Sequence, residues 1–255
     1  MKFSIVGSGN VAHHFAEMLC SGGHQLLQVW SRDISHAGEI ASKFKATVAP
    51  HLSLLSEENQ LIVVAVKDDV IGEVAQQIPV QLSVIHTSGS LPADIFPHRR
   101  KGVVWPIYSL TKGIPSDYGR MPIIIEAGES QFQNWLVSEF SKLSRSVRAV
   151  SGADRSKVHL AAVFANNFTN QMYDLAKTLM EKSGLTFDLL LPIIEQETEK
   201  IHRISPSEAQ TGPGRRADME TINTHLKLLA DDPEAERIYK SVTDRILKIY
   251  HDKKL

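Results

Sequence analysis

The chain has 255 residues, 42% of them apolar and 22% charged, which is enough for two ordinary domains with sizeable cores. The 28 basic and 29 acidic residues nearly cancel to a net charge of -1, so nothing in the balance favours nucleic acid or an anionic membrane as a partner. A lone cysteine, Cys20, excludes an internal disulfide and fits a reducing compartment, MKFSIVGSGN is not a secretory leader, and no apolar run approaches the roughly 20 residues of a membrane span. A cytoplasmic protein is expected.

Up to about residue 150, short β-branched runs alternate with amphipathic stretches. The expected strands are Phe3–Val6, Leu26–Trp30, Leu61–Val66, Val84–His86, Val103–Trp105, Ile123–Glu126 and Val147–Val150. Between them lie helical patterns such as Val11–Cys20, His36–Phe44, Val70–Gln77 and Gln131–Leu143. Such alternation predicts βαβ units and a largely parallel sheet, with the wholly apolar LIVVAV as a central strand. After Gly152 the β pattern stops. Ser156–Lys182 reads as one long helix ended by Gly184, Thr186 caps another through LLLPIIEQETEKI, and further helices cover about Asp218–Leu229 and Pro233–Tyr250. The expected architecture is an α/β Rossmann-type domain, residues 1–151, followed by an all-α domain, residues 152–255.

The first strand runs directly into Gly7-Ser8-Gly9-Asn10-Val11-Ala12, a GxGxxA pattern that opens a helix. In that setting Gly7 permits the turn, Gly9 lets backbone amides approach a pyrophosphate, and Ala12 lets helix and strand pack closely. The second strand ends in Ser31 and Arg32, where an NAD-preferring site carries a carboxylate for the ribose hydroxyls. A hydroxyl and a guanidinium suit a 2′-phosphate instead, so NADP is the expected cofactor. The cofactor-binding candidates are therefore Gly7, Ser8, Gly9, Asn10, Val11, Ser31 and Arg32. Val66, Lys67 and Asp68 join them at the end of LIVVAV, although Asp68 and Asp69 also suit a helix cap.

Three segments, VKDDVIGEVA, HTSGSL and TGPGRRADMETINTHL, together resemble the Rossmann-like NADP-binding oxidoreductases that carry a C-terminal domain of unknown function of the 2520 type. These are distant relatives of pyrroline-5-carboxylate reductase and the β-hydroxyacid dehydrogenases. The family's late motif, TGP-x-x-RGD-x-x-T-x-x-x-HL, is met by Thr211, Gly212, Pro213, Arg216, Asp218, Thr221, His225 and Leu226, with Ala217 in the glycine's place. Two departures stand out. Trp105-Pro106 occupies the place of the family's frequent His-Pro. Val163 stands one turn before Asn166-Asn167, where the β-hydroxyacid dehydrogenases have a catalytic lysine.

The candidate chemistry lies at strand ends and on two helices. His86 and Ser88 leave the Val84–His86 strand on the ligand side, His86 as a proton donor and Ser88 as a substrate hydrogen-bonding group, unless both are internal braces. Asp218, Thr221 and His225 fall on one helical face at i, i+3 and i+7, beside the Gly-Pro loop with Thr211 and Arg216. They read as a site in which Asp218 and Thr221 hold the His225 tautomer, or as a polar network bracing helices. His159, Val163, Asn166 and Asn170 share another stripe, which the resemblance turns toward the nicotinamide. Asn166 and Asn170 then hydrogen-bond a substrate or the carboxamide, and the rival reading pairs them with a neighbouring helix or a dimer partner. The eleven histidines show no metal-ligand spacing, so no metal is expected.

The expectation is an NADP(H)-dependent oxidoreductase moving hydride to or from a small carbonyl or imine compound in a cleft between the domains. The alternative is a non-catalytic NADPH sensor. The long apolar helices further predict a homodimer through the helical domain.

Overall fold

A computed structural model describes residues 1–251 of the chain. It divides into two compact units, Met1–Asn167 and Phe168 onward.

The first unit holds one sheet of eight strands: β1 (Lys2–Val6), β2 (Gln25–Trp30), β3 (Thr47–Val48), β4 (Leu61–Val64), β5 (Val84–His86), β6 (Lys101–Pro106), β7 (Ile123–Ala127) and β8 (Val147–Ala149). They lie in the order β3-β2-β1-β4-β5-β6-β7-β8. All neighbours pair parallel except β6 and β7, which run antiparallel. Five α-helices belong to this unit: α1 (Asn10–Ser21), α2 (Ile34–Lys43), α3 (Ile71–Ala75), α4 (Ser130–Phe140) and α5 (Gly152–Ala162). Strand β4 shows why the sheet sits inside. All four of its residues are buried, and successive side chains enter opposite cores: Leu61 and Val63 join Phe3, Ile5 and Phe15, whereas Ile62 and Val64 join Val6, Ile71 and Phe96. Every expected strand forms. Strand β3 escapes sequence reading, because two residues carry no periodicity.

The expected helix over 156–182 begins earlier, at Gly152, where the Ser151 hydroxyl accepts the Asp154 N–H. It is interrupted by a six-residue π turn, Val163–Phe168, before continuing as α6 (Thr169–Lys182). The two compact units divide within this π turn, at Asn167. Helix α5 counts with the sheet because Arg155 is buried and Val158 and Ala162 pack beside Val103 and Trp105.

The second unit continues from α6 through a 3₁₀ turn (Phe187–Leu190), α7 (Leu191–Ile201), α8 (Pro206–Ala209), α9 (Pro213–Arg216), α10 (Met219–Leu228) and α11 (Pro233–His251). Pro192 stands in the first turn of α7, where a missing N–H costs nothing, so it opens the helix without kinking it. Asp232 caps α11 by accepting the Ala235 N–H at 3.1 Å. No helix among the described residues is long and apolar enough to cross a membrane.

Candidate dinucleotide site

Strand register builds the site. Val6 pairs with Trp30 on one side and Val64 on the other, and Val64 pairs with His86, so four strands end at one level. The loops that follow them line a groove of about 810 Å³ above the point where the strand order turns from β1 to β4. Gly7 makes the first turn at φ +127°, and a Cβ there would lie 2.2 Å from the Ala65 carbonyl oxygen. Its N–H donates to the Trp30 carbonyl at 2.7 Å. Gly9 is different. Its φ of -77° suits any residue, its helix α1 has no side-chain cap, and a Cβ on it would meet nothing within 4 Å. The protein itself does not require a glycine at 9. The amides of the α1 N-terminus beside it carry no side-chain cap. Ala12 is fully buried in the core under that helix.

At the tip of β2, the Ser31 hydroxyl is bonded to that of Ser8 at 2.8 Å. Arg32 is exposed on the groove wall. Asp33 looks away from it: its carboxylate accepts from the Ser35 N–H at 2.9 Å, the Ser35 hydroxyl and the His36 N–H, capping α2. Those bonds, the Ser35 hydroxyl first, hold its carboxyl below the usual carboxylate range. The guanidinium is thus the charge that this tip presents to the groove.

Val66, Lys67 and Asp68 line the groove, as does Ser88. The Ser88 hydroxyl is engaged within the protein. Its hydroxyl donates to Asp68 Oδ2 at 2.7 Å and accepts the N–H groups of Ser90 and Leu91 at 3.1 and 3.2 Å, which uses its donor and both lone pairs. Asp68 Oδ2 also accepts from Ser90 at 2.8 Å. His86 is engaged in the same way. The ring is fully buried, with Nδ1 accepting the Ser88 N–H at 3.2 Å and Nε2 donating to the Pro92 carbonyl at 3.2 Å. Burial lowers its pKa to about 4, so it is a neutral brace with both nitrogens occupied and no proton to give.

The residue that sequence reading overlooked is Arg155. It is only 1% exposed. Its Nε donates to Glu126 Oε2 at 2.8 Å, Nη1 donates to the Gly89 carbonyl, and Nη2 donates to the Leu91 carbonyl at 2.6 Å. One side chain on α5 thereby fixes the loop after β5. Its single usable signal was position, one turn before His159 on the expected stripe. His159 follows with its ring edge-on to Trp105, centroids 5.3 Å apart and planes at 80°.

Beyond His159 a second cavity of about 620 Å³ runs between the end of β6 and the π turn. Asn166 and Asn167 both line it, and both are exposed, so their amides are not buried orphans. The π turn takes an extra residue into one turn and carries both asparagines to the wall shared with Val163.

In the second unit, Asn170 is exposed on α6. Asp218 caps α10, accepting from the Thr221 N–H at 3.1 Å and the Thr221 hydroxyl at 2.8 Å. His225 Nδ1 is bonded to the Tyr239 hydroxyl of α11 at 2.9 Å. Thr211 and His225 line one apolar cavity of about 350 Å³. Arg216 is exposed, 3.9 Å from Asp218. Ala217, in place of the motif's glycine, adopts the left-handed φ of +53° that explains why a glycine is usual there. Among the described residues, no group of three or more His, Cys, Asp or Glu side chains is placed to hold a metal ion.

A parallel sheet with a switch point, a glycine turn whose second glycine faces open space, and an arginine at the β2 tip define a Rossmann-type dinucleotide-binding protein. The family described as "NADP oxidoreductase coenzyme F420-dependent" matches residues 2–87, and "Domain of unknown function (DUF2520)" matches residues 121–246. A Bacteroides fragilis crystal structure described as an NADP oxidoreductase is 33% identical, covers 97% of this chain and 98% of that one, and has a TM-score of 0.88. At the level of fold alone, a reductive aminase from Aspergillus terreus in complex with NADPH and ethyl-5-oxohexanoate matches at 12% identity, 99% and 94% coverage and TM-score 0.76. The 1-pyrroline-5-carboxylate reductase of Streptococcus pyogenes matches at 14%, 99% of both chains and 0.65. The comparison with curated proteins finds no match. The chain belongs to the NADP oxidoreductase family that joins this dinucleotide-binding domain to DUF2520, and its cofactor is NADP.

Proposed function

We propose that the protein reduces a small carbonyl or imine compound with NADPH, in the cytoplasm. Gly9 carries this reading: a glycine that the chain's own packing does not need, placed where a pyrophosphate meets the α1 amides. The backbone from Gly7 to Val11 holds the pyrophosphate, Ser31 and Arg32 take the 2′-phosphate, and Asp68 Oδ1 receives a ribose hydroxyl or the carboxamide. Bound NADPH supplies the hydride. Asn166 and Asn170 are the amides assigned to the acceptor. Its proton comes from a histidine, and the two available are His225 in the second unit and His159 in the first.

Calorimetric titration tests the cofactor assignment. NADPH should bind at least about tenfold more tightly than NADH, or about 1.4 kcal/mol, and Arg32→Ala should erase the preference. Equal dissociation constants would sink the assignment. NADPH binding without oxidation by any aldehyde, ketone, keto acid or cyclic imine would leave the protein as an NADPH sensor.

The same reading makes the protein a homodimer. No residue of α6 or α7 is buried, while Leu189, Leu191 and Ile193 stand 60%, 45% and 62% exposed. A dimer through the helical unit would cover well over roughly 1,200 Å² in total. Light scattering that gives a monomer mass at tens of micromolar would refute it.

A further inference from the structure

We propose that the cavity beside His159 is the acceptor site, that it takes a carbonyl or imine compound without a carboxylate, and that His159 gives the acceptor its proton. This rests on the NADPH-dependent reduction proposed above.

Three observations carry it. First, among the described residues His159 is the one whose side belongs both to the nucleotide groove and to the second cavity. A group at that junction is within reach of whatever meets the nicotinamide. Second, the ring is held from outside. Trp105 lies edge-on to it, and Gly89 leaves room for both: a Cβ on Gly89 would lie 2.6 Å from His159 Cδ2 and 2.8 Å from Trp105 Cε2. Arg155, one turn back on α5, holds the Gly89 carbonyl. A proton donor fixed in this way needs no reorganisation at the moment of transfer. Third, apart from His159 the wall is polar and carries no charged side chain. Tyr108, Ser109, Asn166 and Asn167 supply hydrogen bonds, and among the described residues none that lines the cavity is Lys, Arg, Asp or Glu. A carboxylate would lose its hydration there with no lysine or arginine to pair with it, and the one cation, His159 in its protonated form, gives its proton to the acceptor. An ester, ketone or imine loses little.

The step balances. The acceptor carbon gains the hydride from the dihydronicotinamide, its C=O pair moves onto oxygen, and that oxygen takes a proton from the His159 imidazolium. The products are the alcohol, the oxidised nicotinamide and neutral imidazole, which solvent reprotonates. A preformed N-alkyl iminium ion needs the hydride alone.

That difference gives the test. The probes are ethyl 4-oxopentanoate, the free 4-oxopentanoate anion and N-methyl-3,4-dihydroisoquinolinium. Calorimetry with NADP⁺ present should show the ester binding at least about tenfold more tightly than the anion. His159→Gln and His159→Asn should each lower ester reduction about 10²-fold, the usual scale for losing a general acid. Both variants should leave NADPH affinity and reduction of the iminium within about threefold. A merely structural histidine would lower both reductions together, and that result overturns the proposal, as does an anion that binds as well as the ester. Selective loss of ester reduction in His225→Ala, with His159→Gln unaffected, would move the proton to His225 and also overturn it. A wild-type protein that reduces neither probe overturns this inference together with the reading beneath it. Reduction of both probes with the wrong His159 pattern overturns this inference alone.

Discussion

The two units use similar apolar material in opposite ways. In the first, Phe3, Phe15, Phe96, Phe132 and Phe140 are each at most 1% exposed, and the polar groups of the site sit on loops that this core holds at fixed height. In the second, Leu228 is 77% exposed and Ile249 57%, and the fully buried side chains are few, Ile222 and Leu247 among them. The first unit closes a large core, although Ile34 and Val80 stay 67% and 62% exposed, and its groove is lined by polar groups: backbone amides, a carboxylate, a guanidinium. The second keeps apolar surplus. The contrast is why the proposals put ligand chemistry on the first unit and assembly on the second.

The largest expected effect strikes the first unit at Arg155. Arg155→Met keeps the volume but leaves the Glu126 carboxylate and the carbonyls of Gly89 and Leu91 without their donor. Removing one partner of a buried ion pair typically costs about 3–5 kcal/mol. Denaturant unfolding should register that loss, and NADPH affinity should fall with it, because the loop after β5 walls the groove. A loss under about 1 kcal/mol would mean that the loop holds itself.

How much of this the sequence carried depends on the range of the interaction. The GxGxxA turn, the strands and the Ser31-Arg32 tip were legible because each is a local pattern with one backbone solution. The roles of His86 and Ser88 were not. Whether a strand-end histidine gives a proton or braces a loop depends on Pro92, Asp68 and Ser90 folding back onto it, which no spacing encodes. Arg155 was invisible for the same reason, since its partners lie 29 to 66 residues away. The Asp218–Thr221 bond is local to the start of α10, whereas the His225 partner, Tyr239, comes from the next helix, fourteen residues on, where no spacing points to it.

A paired substitution sharpens the difference between a glycine the fold needs and one the ligand needs. Gly7→Ala forces a Cβ against the Ala65 carbonyl at φ +127°, and should cost about 1–3 kcal/mol of stability. Gly9→Ala fits its backbone and meets nothing, so stability should stay within about 0.5 kcal/mol. Its NADPH affinity should still fall by about tenfold or more, as the methyl takes the pyrophosphate's place. Equal stability losses, or a Gly9→Ala variant that binds NADPH normally, would break the distinction.

The smallest effect lies in the second unit and has the opposite sign. Ala217 ends α9 at φ +53° and ψ +39°, donating its N–H to the Gly214 carbonyl at 3.3 Å, just before Asp218 caps α10. An L-residue in that region costs about 1–2 kcal/mol. Glycine removes the cost but loses about 0.5–1 kcal/mol through its freer unfolded chain. Ala217→Gly should therefore stabilise by about 0.5–1 kcal/mol, raising the melting temperature by about 1–4 °C for a chain of this length. Gly184 provides the mirror test. It ends α6 at φ +69°, with the Leu185 N–H reaching the Met180 carbonyl at 3.0 Å, so Gly184→Ala should lower the melting temperature by a similar amount. Thermal unfolding of both variants at one protein concentration decides the matter. If Ala217→Gly melts lower than the parent, the alanine methyl makes a contact worth more than the strain, and the substitution in the family's motif is an adaptation and not a tolerated defect.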